Sequence, residues 1–157
     1  MKPKVYIETS VISYLAARPS RDLVVAGHQK TAHDWWRLRR PDYDAYVSDF
    51  VLDEVSAGDE DAARRRRQAV RDLTVLELTD ESRDFAQRLV AGGLFPQKAA
   101  GDAFHLAIAT VSGMDFLLTW NCTHIANARV RKPIEELAAS LELEAPVICT
   151  PDELMED

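Results

Sequence analysis

The sequence predicts a three-layer α/β/α fold around a central parallel five-stranded sheet. Three observations carry that expectation. Five short apolar runs, at 4–7, 45–48, 74–78, 116–120 and 146–149, read as strands, and helical patterns separate them. Strands alternating with helices imply βαβ units, right-handed crossovers and a sheet covered on both faces. The chain has 157 residues, no internal repeat and no low-complexity linker, so residues 1–157 are expected to form one domain.

Taken in order, the run Val5-Tyr6-Ile7 stops abruptly at Glu8, and Thr9 or Ser10 is then placed to cap a helix. The stretch from Arg18 to Asp44 is too long for a plain connection. Val24, His28, Ala32, Trp35 and Leu38 would share one helical face there, over the carboxyl edge of the sheet. Asp49 is positioned to cap a short helix that carries Glu54 toward its end. Within 98–112, Ala99, Ala103, Leu106, Ala107 and Val111 recur at helical spacing, with Asp102 near the start and His105 one turn on. The run from Phe116 to Trp120 ends at Asn121. Ile134, Leu137, Ala138 and Leu141 predict a further helix with Pro133 in its first turn. Thr150-Pro151-Asp152-Glu153 reads as a capping box.

Composition is that of a soluble globular protein, 46% hydrophobic and 29% charged. The net charge of -7 repels nucleic acid as a whole, so a nucleic-acid role requires local cations. Glu8, Thr9, Ser10 and Ser13 interrupt the first apolar stretch, which argues against a signal peptide. No run is long enough to span a membrane. Cys122 and Cys149 show no paired spacing and are expected as reduced thiols in a cytoplasm.

Glu8, Glu54, Asp102 and Asn121 each fall where a regular element begins or ends. In open parallel sheets, ligands bind outside the carboxyl ends of the strands. Taken singly, each residue has a structural reading: a strand-end acid, a solvated helix acid, a first-turn acid complementing the dipole, a turn asparagine. Taken together, three carboxylates in one pocket repel unless a cation compensates. Oxygen ligands select a hard divalent ion, Mg²⁺ or Mn²⁺, and such a site suits phosphodiester hydrolysis.

The order of motifs, E-T-S after the first strand, S-x-x-x-L-x-E in mid-chain, G-D-A-x-H-L-A, and L-L-T-W-N-C-T-H-I-A-N, resembles the PIN-domain family. Within it the sequence is most similar to the VapC-type toxins of bacterial toxin–antitoxin pairs. The likeness runs from Lys4 to Leu154. It implies a PIN-like sheet, Mg²⁺-dependent endoribonuclease activity on RNA, a homodimer, and a small antitoxin that occludes the active site. It places Glu8, Glu54, Asp102 and Asn121 at the four metal-holding, catalytic positions, with Thr9 or Ser10 and Thr119 as hydrogen bonders behind them. The chain departs from the family pattern at Glu8, where Asp is usual, and at Asn121, where Asp is frequent. The extra methylene at Glu8 moves a carboxylate by about a bond length in a site that needs sub-ångström placement. The uncharged Asn121 favours one ion over two.

Two other classes compete with the ribonuclease. One is a PIN-like metal- and nucleic-acid-binding module, silenced by Glu8. The other is a phosphatase-like hydrolase, which would normally carry a D-x-D nucleophile motif after the first strand where this chain has Glu8-Thr9-Ser10. Arg18, Arg21, Arg37, Arg39 and Arg40 are the expected phosphate contacts, at the rim of the pocket. Arg66 shares the apolar stripe of its helix and must snorkel or find a partner. Trp35 and Trp36 are adjacent, so at most one can face the core. His105 is expected behind the site, and His124 and Asn127 at its rim.

Overall fold

The computed structural model describes residues 1–156. Its sheet comprises β1 (Lys4–Ile7), β2 (Asp44–Ser48), β3 (Thr74–Leu76), β4 (Phe116–Leu118) and β5 (Val147–Cys149), all parallel in the order β3-β2-β1-β4-β5. The predicted five-stranded α/β architecture is therefore present. Val5, Tyr6, Ile7, Val47, Leu117 and Leu118 are fully buried, as required of central strands covered by helices on both faces. The two edge strands carry the exposed Val75 and Val147. Successive connections run outward from β1 in opposite directions, through β2 and β3 on one side and β4 and β5 on the other. The crevice between the carboxyl ends of β1 and β4 is thus the topological switch point.

The helices are α1 (Thr9–Ala16), α2 (Leu23–Leu38), α3 (Asp49–Val55), α4 (Glu60–Val70), α5 (Asp80–Ala91), α6 (Ala100–Val111) and α7 (Ala128–Ser140). The long 18–44 segment contains one α-helix, α2, and its apolar face is rotated from the expected one. Gln29, Ala32 and Trp35 are buried, while Val24 is 67% and Leu38 55% exposed. Gln29 explains part of the shift: its amide bridges the Ser20 N–H and the Arg18 carbonyl, closing the α1–α2 loop. Trp35 takes the core and Trp36 stays half-buried beneath the Arg40 guanidinium, 4.8 Å from the ring centroid.

Pro133 does not open a helix. α7 begins at Ala128, capped by Asn127, whose side-chain oxygen accepts from Arg129 N–H at 2.9 Å. Pro133 lies inside α7 and removes one intrahelical donor. Burial of Val130, Ile134 and Ala138, four residues apart, holds the helix regardless. At the C-terminal end, the Thr150–Glu153 capping box forms over a single 3₁₀ turn, with Thr150 N–H donating to Glu153 at 3.1 Å.

Arg66 finds backbone partners: Nε donates to Val55 O at 2.9 Å and a terminal nitrogen to Ala57 O at 2.6 Å. These bonds tie α4 to the end of α3, the helix that carries Glu54. Arg66→Met, which keeps the apolar stem, is expected to destabilise the fold by about 1.5–3 kcal/mol in urea melts, the range for hydrogen bonds from a charged group. A change within about 0.5 kcal/mol, typical of an ordinary surface site, would reduce Arg66 to solvated helix face.

Candidate active site at the sheet switch point

Glu8 directly follows β1, and its backbone N–H continues the sheet by donating to Leu118 O at 3.0 Å. Its side chain is only 5% exposed. Rather than Thr9 or Ser10, Glu8 itself caps α1, with Oε2 accepting from Ser10 N–H at 2.8 Å. The same oxygen accepts from Ser10 Oγ and, at 3.0 Å, from the buried Thr119 hydroxyl just past β4. The expected hydroxyl supports at Ser10 and Thr119 are therefore in place, and they span the switch point.

Glu54 sits at the penultimate position of α3. The cap of α3 is Ser48, whose hydroxyl accepts from Val51 N–H at 3.1 Å; Asp49 is the first helical residue. Glu54 Oε1 accepts from Thr9 Oγ1 at 2.6 Å and pairs with His105 Nε2 at 2.6 Å. His105 Nδ1 lies 2.7 Å from the Tyr6 hydroxyl, which lies 2.8 Å from Ser48 Oγ. The carboxylate can only accept, so His105 Nε2 is the donor in its pair with Glu54. Burial by itself raises the Glu54 carboxyl pKa. The His105 hydrogen bond, the charge of His105 and the Thr9 hydroxyl outweigh burial and hold it below the usual range. Burial in the core raises the Tyr6 phenol strongly, so it stays neutral. Gly101 lets α3 and α6 approach closely enough for this pairing, since a Cβ there would come within 3.3 Å of the Phe50 ring.

Asp102, in the first turn of α6, pairs with His124 Nδ1 at 3.0 Å. Asn121 connects that pair to β4: its N–H donates to Thr119 Oγ1 at 2.9 Å, and its Oδ1 accepts from His124 N–H at 3.1 Å. All four candidate residues consequently belong to one closed circuit. It runs from Glu8 through Thr119, Asn121 and His124 to Asp102, along α6 to His105, and through Glu54 and Thr9 back to Glu8. The three carboxylates border this circuit separately. Among the described residues, no three His, Cys, Asp or Glu side chains are gathered as a metal-binding group.

His105 pairs with Glu54 rather than with Asp102 one turn before it, and His124 pairs with Asp102. Asn127 caps α7, and its Nδ2 donates to Thr123 O at 2.9 Å. Arg37 and Arg40 are not at the pocket. The end of α2 leads into the start of β2, where Asp44 N–H meets Pro3 O, so they lie toward the amino edge of the sheet, opposite Glu8. Arg37 faces Asp34 at 3.9 Å, and Arg39 faces Asp42 at 3.5 Å. Arg18 and Arg21 lie in the exposed connection before the other end of α2. A group that the sequence did not flag adjoins the circuit instead. Trp120, between Thr119 and Asn121, stacks on His28, with ring centroids 4.1 Å apart and planes 11° apart, and Tyr14 meets both rings edge-on. Trp120 lies 92 positions after His28 in sequence, and the three residues share no motif.

Among the described residues, no helix is long and apolar enough to cross a membrane. No family profile matches the sequence, and no curated protein does. Solved structures do match. A chain of the VapBC2 complex from Rickettsia felis, bound to a DNA fragment from the promoter, superposes with a TM-score of 0.59 over 93% of this chain and 97% of its own, at 13% identity. VapC20 of Mycobacterium tuberculosis, a toxin that cleaves the sarcin–ricin loop, superposes with a TM-score of 0.55 over 78% of this chain and 94% of its own, at 17% identity. The five-stranded parallel sheet and the helices described around it thus have the PIN-type α/β fold of the VapC toxins.

Proposed function

We propose that the chain is an endoribonuclease of the VapC type. In this reading it is the toxin of a toxin–antitoxin pair, cutting RNA phosphodiester bonds in the cytoplasm with Mg²⁺ or Mn²⁺. The observation that carries the proposal is the circuit joining Glu8, Glu54, Asp102 and Asn121 at the switch point. The donors fit a hard cation in their chemistry, since each offers oxygen and three are carboxylates. They are now satisfied by Thr9, Ser10, Thr119, His105 and His124. When bound, the ion supplies a Lewis acid for the phosphoryl oxygen and an acidified water. The chain's own groups do the positioning. Thr119 and Ser10 fix the Glu8 carboxylate, His105 and Thr9 fix that of Glu54, and His124 restrains Asp102 until a cation competes for it. The likeness to a chain of the VapBC2 complex supports an antitoxin partner. A homodimer belongs to the same reading.

Mass action provides the test. A ligand that binds only the folded state at about 100 times its Kd stabilises it by about 2.7 kcal/mol. Mn²⁺ should therefore raise the melting temperature of the parent, and Asp102→Ala should abolish both that rise and RNA cleavage. Equal metal-induced shifts in parent and variant would place Asp102 outside the site. One observation favours a second reading, the catalytically silent metal- and nucleic-acid-binding module. Glu8 is a buried helix cap, a structural role sufficient to account for it. A Mn²⁺ shift that depends on Asp102, in a protein that cleaves no RNA, would select that module.

A further inference from the structure

We infer that Tyr14, His28 and Trp120 form a nucleobase-stacking subsite beside the carboxylates, and that the ligand is an unpaired base of single-stranded RNA. The inference rests on the ribonuclease reading, whose substrate it specifies further. Three elements converge to build the cluster: α1 gives Tyr14, α2 gives His28, and the segment after β4 gives Trp120. Each ring is only partly buried, so part of the aromatic surface meets solvent. The stack is fixed to the catalytic circuit by backbone, not by chance proximity. Trp120 N–H donates to Ser10 Oγ at 2.8 Å, and Ser10 in turn binds the Glu8 carboxylate. A phosphate at the carboxylates therefore has its neighbouring base within the compass of these rings.

The chemistry of the cluster selects a base over an apolar side chain. Flat faces that already stack nearly parallel extend readily to a further planar ring, and single-stranded RNA is recognised chiefly by such stacking on Trp, Tyr, Phe and His. The net charge of -7 points the same way. With Arg37 and Arg40 at the opposite edge of the sheet, base stacking supplies affinity that those two cations do not.

The experiment is a fluorescence titration in EDTA, so that neither metal nor cleavage intervenes. Two probes of equal length and charge are compared, a single-stranded oligoribonucleotide and its fully abasic analogue, on the parent, His28→Ala, His28→Phe and Trp120→Leu. The parent is expected to bind the base-bearing probe about tenfold more tightly than the abasic one. His28→Ala and Trp120→Leu should erase that difference while leaving abasic binding unchanged, and His28→Phe, which keeps a stacking ring, should retain it. His28→Ala leaves every hydrogen bond of the circuit intact, and its melting curve separates lost stacking from lost fold. Equal affinity of the parent for both probes would overturn the subsite and leave the ribonuclease reading standing. Binding of neither probe, with or without Ca²⁺, would overturn the subsite and the ribonuclease reading together.

Discussion

Glu8→Ala is expected to lower the melting temperature by on the order of 10 °C, and Glu8→Gln by far less, while both variants lose nuclease activity. The difference follows from what the carboxylate holds. Its Oε2 accepts from Ser10 N–H, Ser10 Oγ and Thr119 Oγ1. Alanine removes a helix cap and leaves a buried hydroxyl without an acceptor, together about 3 kcal/mol, and each kilocalorie moves a chain of this size by about 2–4 °C. Glutamine keeps an acceptor oxygen in the same place and loses only the charge, so its stability cost is about 1 kcal/mol. A residue that only capped α1 would therefore tolerate glutamine in every assay. A residue that also holds a cation would not, and RNA cleavage should fall at least about 100-fold, the upper end of what even indirect metal-site substitutions cost. Glu8→Asp separates the roles from the other side. Its shorter arm retains the carboxylate charge but no longer spans Ser10 and Thr119 together, which frees it for a cation, so under the ribonuclease proposal the fold should survive and metal-dependent cleavage should rise. Parent-like cleavage by Glu8→Gln would make Glu8 a structural strand-end acid and favour the silent module.

The parts of this architecture that were legible in sequence are those written in local pattern. β1 ends at Ile7 because Glu8 breaks the apolar run, and the acid-bearing ends of β1 and β4 follow from parallel topology. The runs at 116–120 and 146–149 shortened to Phe116–Leu118 and Val147–Cys149, since pairing ends before hydrophobicity does. The start of α7 was hidden because its first turns, Ala128 to Lys132, are mostly polar, and an interior proline looks like an opening one. The orientation of α2 was hidden for another reason. Val24 and Leu38 are apolar letters, but burial depends on which side of the helix α1 and the C-terminal turn occupy, and that is a tertiary fact. The same holds at the site. Thr9 or Ser10 and Thr119 were expected beside the acids from the family resemblance, and His105 from its place one turn after Asp102. The convergence of His28 on Trp120 was not, because no period links α2 to the residue after β4.

His105 provides the second large effect, through Glu54. The imidazole is 1% exposed and bridges the Tyr6 phenol and the Glu54 carboxylate. His105→Leu fills most of the space but removes both polar contacts, leaving the buried Tyr6 hydroxyl with Ser48 alone. A loss of about 2–3 kcal/mol is expected at neutral pH, mostly from orphaned polar groups. Its pH dependence carries the sharper information. The folded-state carboxyl of Glu54 lies below its usual 4.5, because the His105 bond and charge, with Thr9, outweigh burial. A depressed acid contributes stability that is fully present above the unfolded value and is lost as pH falls through the lowered folded value. The parent should accordingly lose this increment below about pH 4.5, the ordinary glutamate range. The variant lacks the increment at every pH, since without His105 the remaining burial pushes Glu54 back up. The gap between the two proteins should thus be widest near neutrality and narrow in acid to the part left by the orphaned polar groups, read as urea midpoints across a pH series in metal-free buffer. Tyr6→Phe controls for packing: it should cost about 1 kcal/mol, nearly independent of acid, because Glu54 keeps its histidine. A gap between parent and His105→Leu that stays constant through the acid range would show that His105 serves packing alone, and that Glu54 owes its low pKa to other groups.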